Sequence, residues 1–435
     1  MLSTVIHNFF SQQDSQTKYW LALSGGLDSS VLLALCAAYQ CEHAIDLKII
    51  HINHNLNEKS AEWGKYCAAI ARHYKLEYMQ IDLQFTVQVG ESLEERAREE
   101  RYAIFAKYMQ VEDVLLTAHQ QDDQAETVLL QLLRGAGVKG LAAMPQCARF
   151  ANGWHARPLL SVTRDTIYEY AEQQKLTWIE DNSNKNTELT RNFLRHEIMP
   201  RLKIRWPTVS KMLARSAGHC AEADALLAEN SWHDWLKCAG SLVNTLSVEK
   251  LLQYPIAKQR LILRTWFQQF NHPLPNTKKL ETICQQMLTA EQDKQPLVSW
   301  QTTEIRRHGD DLYLLKSLVE HDATQIFQWN LQHSSQLSLG NLGQLTAQIT
   351  PGYGLRMDIK NITIRFRVGG ESYHLGKRGK QCLKNLFQEW QIPPWERNRI
   401  PLIFVEDCLA MIMGYYIDEA YSARDDESGY AFAWI

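Results

Sequence analysis

The nineteen residues KYWLALSGGLDSSVLLALC, Lys18–Cys36, restrict the fold more than any other stretch of this chain. Tyr19–Leu23 is short, apolar and aromatic, which predicts a buried strand. Ser29–Tyr39 has the length and the Ala/Leu content of a helix. Between them Gly25 and Gly26 carry no side chain, so the backbone can turn tightly and be approached closely. Strand, glycine turn and helix in that order aim backbone N–H groups and the positive helix end at one point, where an anion is stabilised. Ser24, Ser29 and Ser30 can add hydroxyl donors. Asp28 does not suit a bare phosphate cradle, because carboxylate and phosphate repel; it suits one in which it holds Mg²⁺ that bridges to the phosphates. The competing reading is a tight strand–helix turn with Asp28 as an N-cap.

The spacing is not that of the Walker loop, since no Gly-Lys-Ser/Thr follows, and it is not the dinucleotide fingerprint. It resembles the pyrophosphate loop, SGGxDS, of the ATP pyrophosphatases, which split ATP into AMP and pyrophosphate. Ser24, Gly25, Gly26, Leu27, Asp28 and Ser29 are the positions that match and that are expected to bind ATP.

Residues 1–160 continue the alternation. Ile45–Leu56 reads as a strand with a polar end, Glu91–Tyr108 as a helix with Ser92 and Glu95 spaced as a capping box, and Asp113–His119 as a strand. QDDQAETVLLQLLRGAG then reads as a helix ending in glycine. This order predicts an α/β fold, a doubly wound parallel sheet, with ligands beyond the carboxyl ends of its strands. The Ser24–Ser29 loop, the His51–His54 segment and the His119–Asp123 loop are therefore expected to meet in one crevice. His51 and His54 are read as lining, because no further ligand makes them a metal pair. Beyond residue 160 the alternation fades. Arg191–Lys237 and Ser247–Ala290 read as mainly helical, LVSWQTTEIRRHGDDLYLLK as a hairpin, and Gln325–Gly354 as carrying short strands at most. ITIRFR, the basic helix GKQCLKNLFQEW and two further strands form a small α+β end. The expected domains are 1–215 (catalytic), 216–325 (mainly helical, substrate-binding) and 355–435 (small, α+β).

The chain has 435 residues and a net charge of −3, so its bulk charge does not point to nucleic acid. The distribution says more. Arg191–Arg215 carries seven Lys/Arg against one acid, Lys360–Arg399 nine against three, and Glu406–Glu427 seven acids against one Arg. Two basic stretches on a near-neutral chain can each be a phosphate-binding patch or a solvated face. In the second, Lys377, Arg378, Lys380, Lys384, Arg397 and Arg399 accompany Trp390 and Trp395, the latter read as core. No apolar run approaches the ~18 residues of a membrane helix, and the first residues lack the basic start of a secretory signal. The nine cysteines contain no CxxC pair, which argues against a disulfide framework or a zinc or iron–sulfur site and for a cytoplasmic protein.

AHQQDDQAET, Ala118–Thr127, is the second chemical cluster. Asp122 and Glu126 are i,i+4 and Asp123 and Glu126 i,i+3, so all three acids can share one helix edge near its N-terminus. The helix dipole alone favours acids there; beside an ATP site they also suit metal binding or base catalysis. SGGLDSS, AHQQDDQAETVLLQLLRGAGVKGL, RPLL at Arg157–Leu160 and EDNSNKNTELTRNFLRHEIMPRL together resemble the tRNA(Ile)-lysidine synthetase family, as do the later KLLQYPIAKQRLILRTW and LKNLFQEWQIPPWERNRIPLI.

That resemblance implies a two-step ligation. ATP adenylates the C2 oxygen of the wobble cytidine in a tRNA(Ile) with a CAU anticodon. An amine of free L-lysine then attacks C2, AMP leaves, and the lysidine formed pairs with A instead of G. The implied cofactors are ATP and Mg²⁺, with Asp28 on the metal, and the domains at 216–325 and 355–435 are expected to bind the tRNA. The amine has a reference pKa of about 10.4, so presenting it neutral at pH 7 costs roughly 4.6 kcal/mol unless the site shifts it. Asp123 and Glu126 match the family's paired acids and are read as binding the ammonium, taking its proton or sharing the metal. Arg191 and Arg195 lie one helical turn apart and are read as meeting the α-phosphate or the tRNA; Arg134 and Arg157 are further candidates. The rival readings are a tRNA thiolase on the same loop and a non-enzymatic nucleotide sensor. The oligomeric state stays open, a homodimer included.

Overall fold

A computed structural model of the chain describes residues 2–12, 17–53, 60–83, 93–181, 186–291, 294–374 and 379–435. The Ser92–Glu95 capping box, His54, the 182–185 part of the EDNSNKN motif, Lys377 and Arg378 lie outside the described residues. The chain divides into two units, Met1–Asn230 and Ser231–Ile435.

The first unit is the expected doubly wound sheet. Its elements are α1 (Leu2–Phe10), β1 (Lys18–Ala22), α2 (Leu27–Glu42), β2 (Asp46–Asn53), α3 (Ser60–His73), β3 (Glu77–Asp82), α4 (Leu93–Tyr108), β4 (Val114–Leu116), α5 (Gln121–Leu133), α6 (Val138–Leu141), β5 (Cys147–Phe150), β6 (Gly153–Ala156) and α7 (Arg164–Gln173). The strand order is β3-β2-β1-β4-β6-β5. All neighbours are parallel except the β5–β6 hairpin. The period of two in β1 explains the layers. Tyr19 and Leu21 enter the core that also holds Val31, Leu35 and Ile167 from α2 and α7. Trp20 points the other way, to Ile50, Leu115 and, from α4, Phe105. Trp20 Nε1–H donates to Asp113 Oδ2 at 2.9 Å, so the indole is buried with its polar atom satisfied.

The chain steps outward from β1 to β2 and β3, then crosses back to β4 on the other side of β1. The carboxyl ends of β1 and β4 therefore flank the topological switch point, where a crevice opens for ligands. The unit closes with α8 (Thr190–Phe193), a π-helical turn over Leu194–Ile198, and α9 (Met199–Arg205). From there α10 (Val209–Lys237) runs across the division between the units.

Among the described residues the second unit has three apolar clusters. β7 (Thr245–Ser247), α11 (Val248–Leu252), α12 (Ile256–Gln269), α13 (Thr277–Thr282), β8 (Leu297–Trp300), β9 (Thr303–His308) and β10 (Asp311–Lys316) enclose Trp266, Phe267, Ile305 and Leu312. Their antiparallel sheet runs β7-β10-β9-β8, so the expected hairpin is the centre of a four-stranded sheet. The C-terminal part is richer in strands than its sequence signalled. Gln344–Pro351, in the stretch expected to carry short strands at most, is an eight-residue strand paired with Ser428–Trp434. Its Gln and Thr residues hide the strand, and of its alternating apolar side chains Leu345 is fully buried whereas Ile349 is exposed. The basic helix is shorter than expected, Leu383–Glu389, since Lys380–Cys382 pairs as a strand with Ser372–His374. Trp395 is buried, against Tyr313 and beneath Arg306.

No helix among the described residues is long and apolar enough to cross a membrane. Leu21 is fully enclosed in the central strand of the first unit. Leu21→Ala is expected to destabilise that unit by about 3 kcal/mol through lost burial and a cavity. Calorimetry of the full chain should show a lowered transition for the first unit; an unchanged thermogram would contradict this packing.

Candidate active site

The loop after β1 is built for close approach. Gly25 has φ +82°, a conformation that glycine adopts without strain, and its carbonyl accepts Ile179 N–H at 2.8 Å. A Cβ there would stand 2.8 Å from Ile179 Cδ1 and 3.1 Å from Cys67 Sγ. Gly26 differs: its φ of −77° suits any residue, and an added Cβ would meet only Ser24 Oγ at 3.6 Å. The bare backbone of Gly25 is thus required by the fold, whereas that of Gly26 faces open space. Gly26 is the N-cap of α2 and makes no side-chain cap bond, so the first N–H groups of α2 lack a capping side chain. Ser29 Oγ donates to the Gly26 carbonyl at 3.0 Å and lies 3.0 Å from Ser24 Oγ.

Asp28 is therefore not the N-cap. It sits in the first turn of α2, and its Oδ1 is buried without a hydrogen-bond partner. Burial, followed by the charge of Asp123, pushes its carboxyl up to about 6, against the pull of Arg164 and Arg195. A cation would relieve both effects. Among the described residues no group of three His, Cys, Asp or Glu side chains could hold a metal. Asp28 as a lone protein ligand, with phosphate oxygens and water completing the shell, matches how Mg²⁺ is bound beside phosphates.

Across the switch point, α5 begins with a reciprocal cap. Gln120 Oε1 accepts Asp122 N–H at 2.6 Å, and Asp123 Oδ2 accepts Gln120 N–H at 3.0 Å. Asp123 Oδ1 accepts from both guanidinium groups, Arg191 at 3.0 Å and Arg195 at 2.8 Å. Glu126, one turn on, accepts Arg191 Nε–H at 3.0 Å and two bonds from Arg195 at 2.7 and 2.8 Å. The Glu126 side chain is 2% exposed and that of Asp123 12%. Burial pushes the Asp123 carboxyl up, but Arg191, with Arg195 and the Gln120 N–H, holds it below the usual carboxylate range. Arg195 loses solvation yet is held protonated by Glu126 and Asp123. Two acids and two arginines form one closed, charge-balanced cluster.

The structure brings Asp123, Glu126, Arg191 and Arg195 together, with Asp28 within electrostatic reach. It separates Asp122, which pairs with Lys203 at 2.9 Å. The shared acidic edge predicted from spacing is thus split by the partners that other segments bring, Lys203 to Asp122 and the arginines to Asp123 and Glu126. His51 lines the carboxyl end of β2, buried, 2.7 Å from the Leu23 carbonyl through Nδ1. Arg157 is buried and donates to the Pro145 carbonyl and to His155. Arg134 is the exposed C-cap of α5. Sequence reasoning missed Thr117, His155, Lys203 and Arg164. Leu115 and His155 are register partners in β4 and β6, a neighbourhood that forty residues of chain separation conceal. Part of the basic excess is spent internally: Arg365 pairs with Asp407, Arg397 donates to the Ile392 carbonyl and Arg399 to that of Val319. Lys360, Lys380 and Lys384 stay exposed.

Comparison with known proteins agrees with this anatomy. The PP-loop domain family matches residues 2–202, the TilS substrate binding domain family residues 246–313, and the TilS substrate C-terminal domain family residues 362–434. The tRNA(Ile)-lysidine synthase of Coxiella burnetii is 42% identical over 97% of this chain and 94% of that protein. Those of Methylococcus capsulatus and Vibrio cholerae are 39% and 37% identical, over 91% and 94% of this chain and 91% and 93% of theirs. Identity sustained along both chains, across all the matched domains, places this chain in the tRNA(Ile)-lysidine synthase family.

Proposed function

We propose that this cytoplasmic enzyme ligates free L-lysine to C2 of the wobble cytidine of a tRNA(Ile) with a CAU anticodon, converting ATP to AMP and pyrophosphate. The observation that carries the reading is the pairing, at one switch point, of an open phosphate cradle with a closed cluster of two acids and two arginines. In the first step the cytidine O2 attacks the α-phosphorus, and the bond to the pyrophosphate oxygen breaks. Gly26 and the first turn of α2 hold the departing pyrophosphate, with Ser24 and Ser29 beside it. Mg²⁺ on Asp28, when bound, supplies positive charge to the phosphate oxygens. In the second step the lysine amine forms the bond to C2, and AMP leaves with the former O2. The lysine ammonium gives a proton to an acid of the cluster before its nitrogen attacks.

The cluster explains how one site serves ligands of opposite charge. Phosphate draws Arg191 and Arg195; Asp123 and Glu126, relieved of them, take the lysine ammonium. The exposed Lys360, Lys380 and Lys384 meet tRNA phosphates. A thiolase would need a reactive thiolate, whereas burial pushes Cys67, under the Gly25 turn, up to about 12 and Cys36 higher still.

The direct test is mass analysis of tRNA nucleosides after incubation with ATP and labelled lysine. A lysine-dependent lysidine is expected; unmodified cytidine, or a thiolated base, would overturn the reading.

Asp28 couples function to stability. A carboxyl raised from 3.8 to about 6 contributes its stability fully below the unfolded value and loses it as pH rises through about 6. Asp28→Asn cannot ionise and escapes that loss. Without metal it should gain about 1–3 kcal/mol over the parent above pH 6 and little near pH 4. Its tRNA-dependent pyrophosphate release should fall steeply. Thermal unfolding at both pH values and a pyrophosphate assay decide this; normal release would remove Asp28 from the metal.

Gly26→Ala should fold with its stability within about 0.5 kcal/mol of the parent, because the added methyl meets only Ser24. It should release pyrophosphate at least about a hundredfold more slowly, because the methyl occupies the cradle. Near-normal release would free the Gly26 backbone of that role.

A further inference from the structure

From Arg157 to His119 runs a chain of hydrogen bonds that the two-step reaction above does not use. Arg157 Nη2 lies 3.1 Å from His155 Nδ1, His155 Nε2 lies 2.8 Å from Thr117 Oγ1, and Thr117 Oγ1 lies 2.8 Å from His119 Nδ1. Arg157, His155 and Thr117 are buried, so each of these polar contacts matters to the fold. The direction of the chain follows from its first member. A guanidinium only donates, so His155 Nδ1 must accept and carries no proton. The ring proton of His155 is then on Nε2 and is donated to Thr117 Oγ1. Thr117 has one hydroxyl proton, and His119 Nδ1 is the acceptor left for it. His119 is consequently the tautomer that bears its proton on Nε2.

We propose that Arg157, His155 and Thr117 are positioning residues that fix His119 as an Nε2–H hydrogen-bond donor to a substrate oxygen in the acid–arginine site. The ring sits in the turn between β4 and α5, and Asp123 is the acid whose charge it feels most. Burial, with Arg157 and Arg191, drives His119 down to about 3, and burial with Arg157 drives His155 to about 3, so both rings stay neutral at working pH. A neutral Nε2–H cannot act as a base. It can donate to an oxygen on which negative charge gathers, as the α-phosphoryl oxygens do during the transfer and the former C2 oxygen does as it departs with AMP. The wrong tautomer would present a lone pair to that oxygen and repel it. This assignment deepens the ligase reading and rests on it for the identity of the oxygen, but the tautomer itself is a property of the free protein.

The test joins a spectrum to a kinetic split. In histidine-¹⁵N-labelled protein, with His119 assigned by loss of its signals in His119→Gln, the wild type should show a single neutral tautomer protonated on Nε2. Thr117→Val removes the hydroxyl at almost constant volume. It should give a mixture of tautomers and lower kcat for lysidine formation about tenfold or more, with the KM for ATP changed less than about twofold. Thr117→Ser should restore both the spectrum and kcat. A wild-type His119 protonated on Nδ1 would overturn the proposal, even where the valine variant fails to fold. An unchanged tautomer or an unchanged kcat in Thr117→Val would overturn it too. Absence of lysidine formation by the wild type would strike the ligase reading and leave the tautomer measurement standing.

Discussion

The contact on which the rest of the site depends is the four-charge cluster of Asp123, Glu126, Arg191 and Arg195. It joins the first turn of α5 to the helical segment that follows residues 182–185, across more than sixty residues of chain. Its acids are largely withdrawn from water, and removing one partner from such a group typically costs about 3–5 kcal/mol because a charge is left buried and unpaired. The geometry that makes the cluster closed is local. Asp123 spends one oxygen on capping its own helix and offers the other to both guanidinium groups. The π-helical turn at Leu194–Ile198 widens the helix where Arg195 sits, and both arginines reach the same two acids. Single π-turns inside helices recur at functional sites.

A balanced cluster has a chemical consequence. Each of its charges is already answered, so no ligand charge is attracted without displacing a partner. A phosphate that takes the arginines exposes the acids, and an ammonium that takes the acids exposes the arginines. Two ligands of opposite sign then assist each other, and by linkage the assistance is equal in both directions. Across the crevice Asp28 is the converse case, a carboxyl with a buried oxygen that no hydrogen bond answers.

Much of this was readable in the sequence, for reasons that particular residues make plain. Ser24–Ser29 is a contiguous motif with a strand before it and a helix after it, so both the loop and the sheet type could be inferred. Asp123 and Glu126 share a face at i,i+3, which spacing alone reveals. The distinction between Gly25, which the fold needs, and Gly26, whose bare backbone faces open space, was not readable, because it depends on Ile179 and Cys67 packing from elsewhere. The pairing of the acids with Arg191 and Arg195, and the diversion of Asp122 to Lys203, are long-range contacts that no local period encodes. The relay through Thr117 and His155 depends on strand register. The eight-residue strand Gln344–Pro351 was hidden by a polar composition that only one buried face contradicts.

The exchange of partners within the cluster is the central claim, and binding of lysine to the wild-type protein tests it most directly. Titration calorimetry with a non-hydrolysable ATP analogue and Mg²⁺ is compared with titration without them. Lysine is expected to bind at least about tenfold more tightly once the nucleotide is in place, a coupling of about 1.4 kcal/mol. The analogue should bind correspondingly more tightly in the presence of lysine. Equal lysine affinity with and without nucleotide would contradict the account, for the arginines would then not be what keeps the acids from the amine.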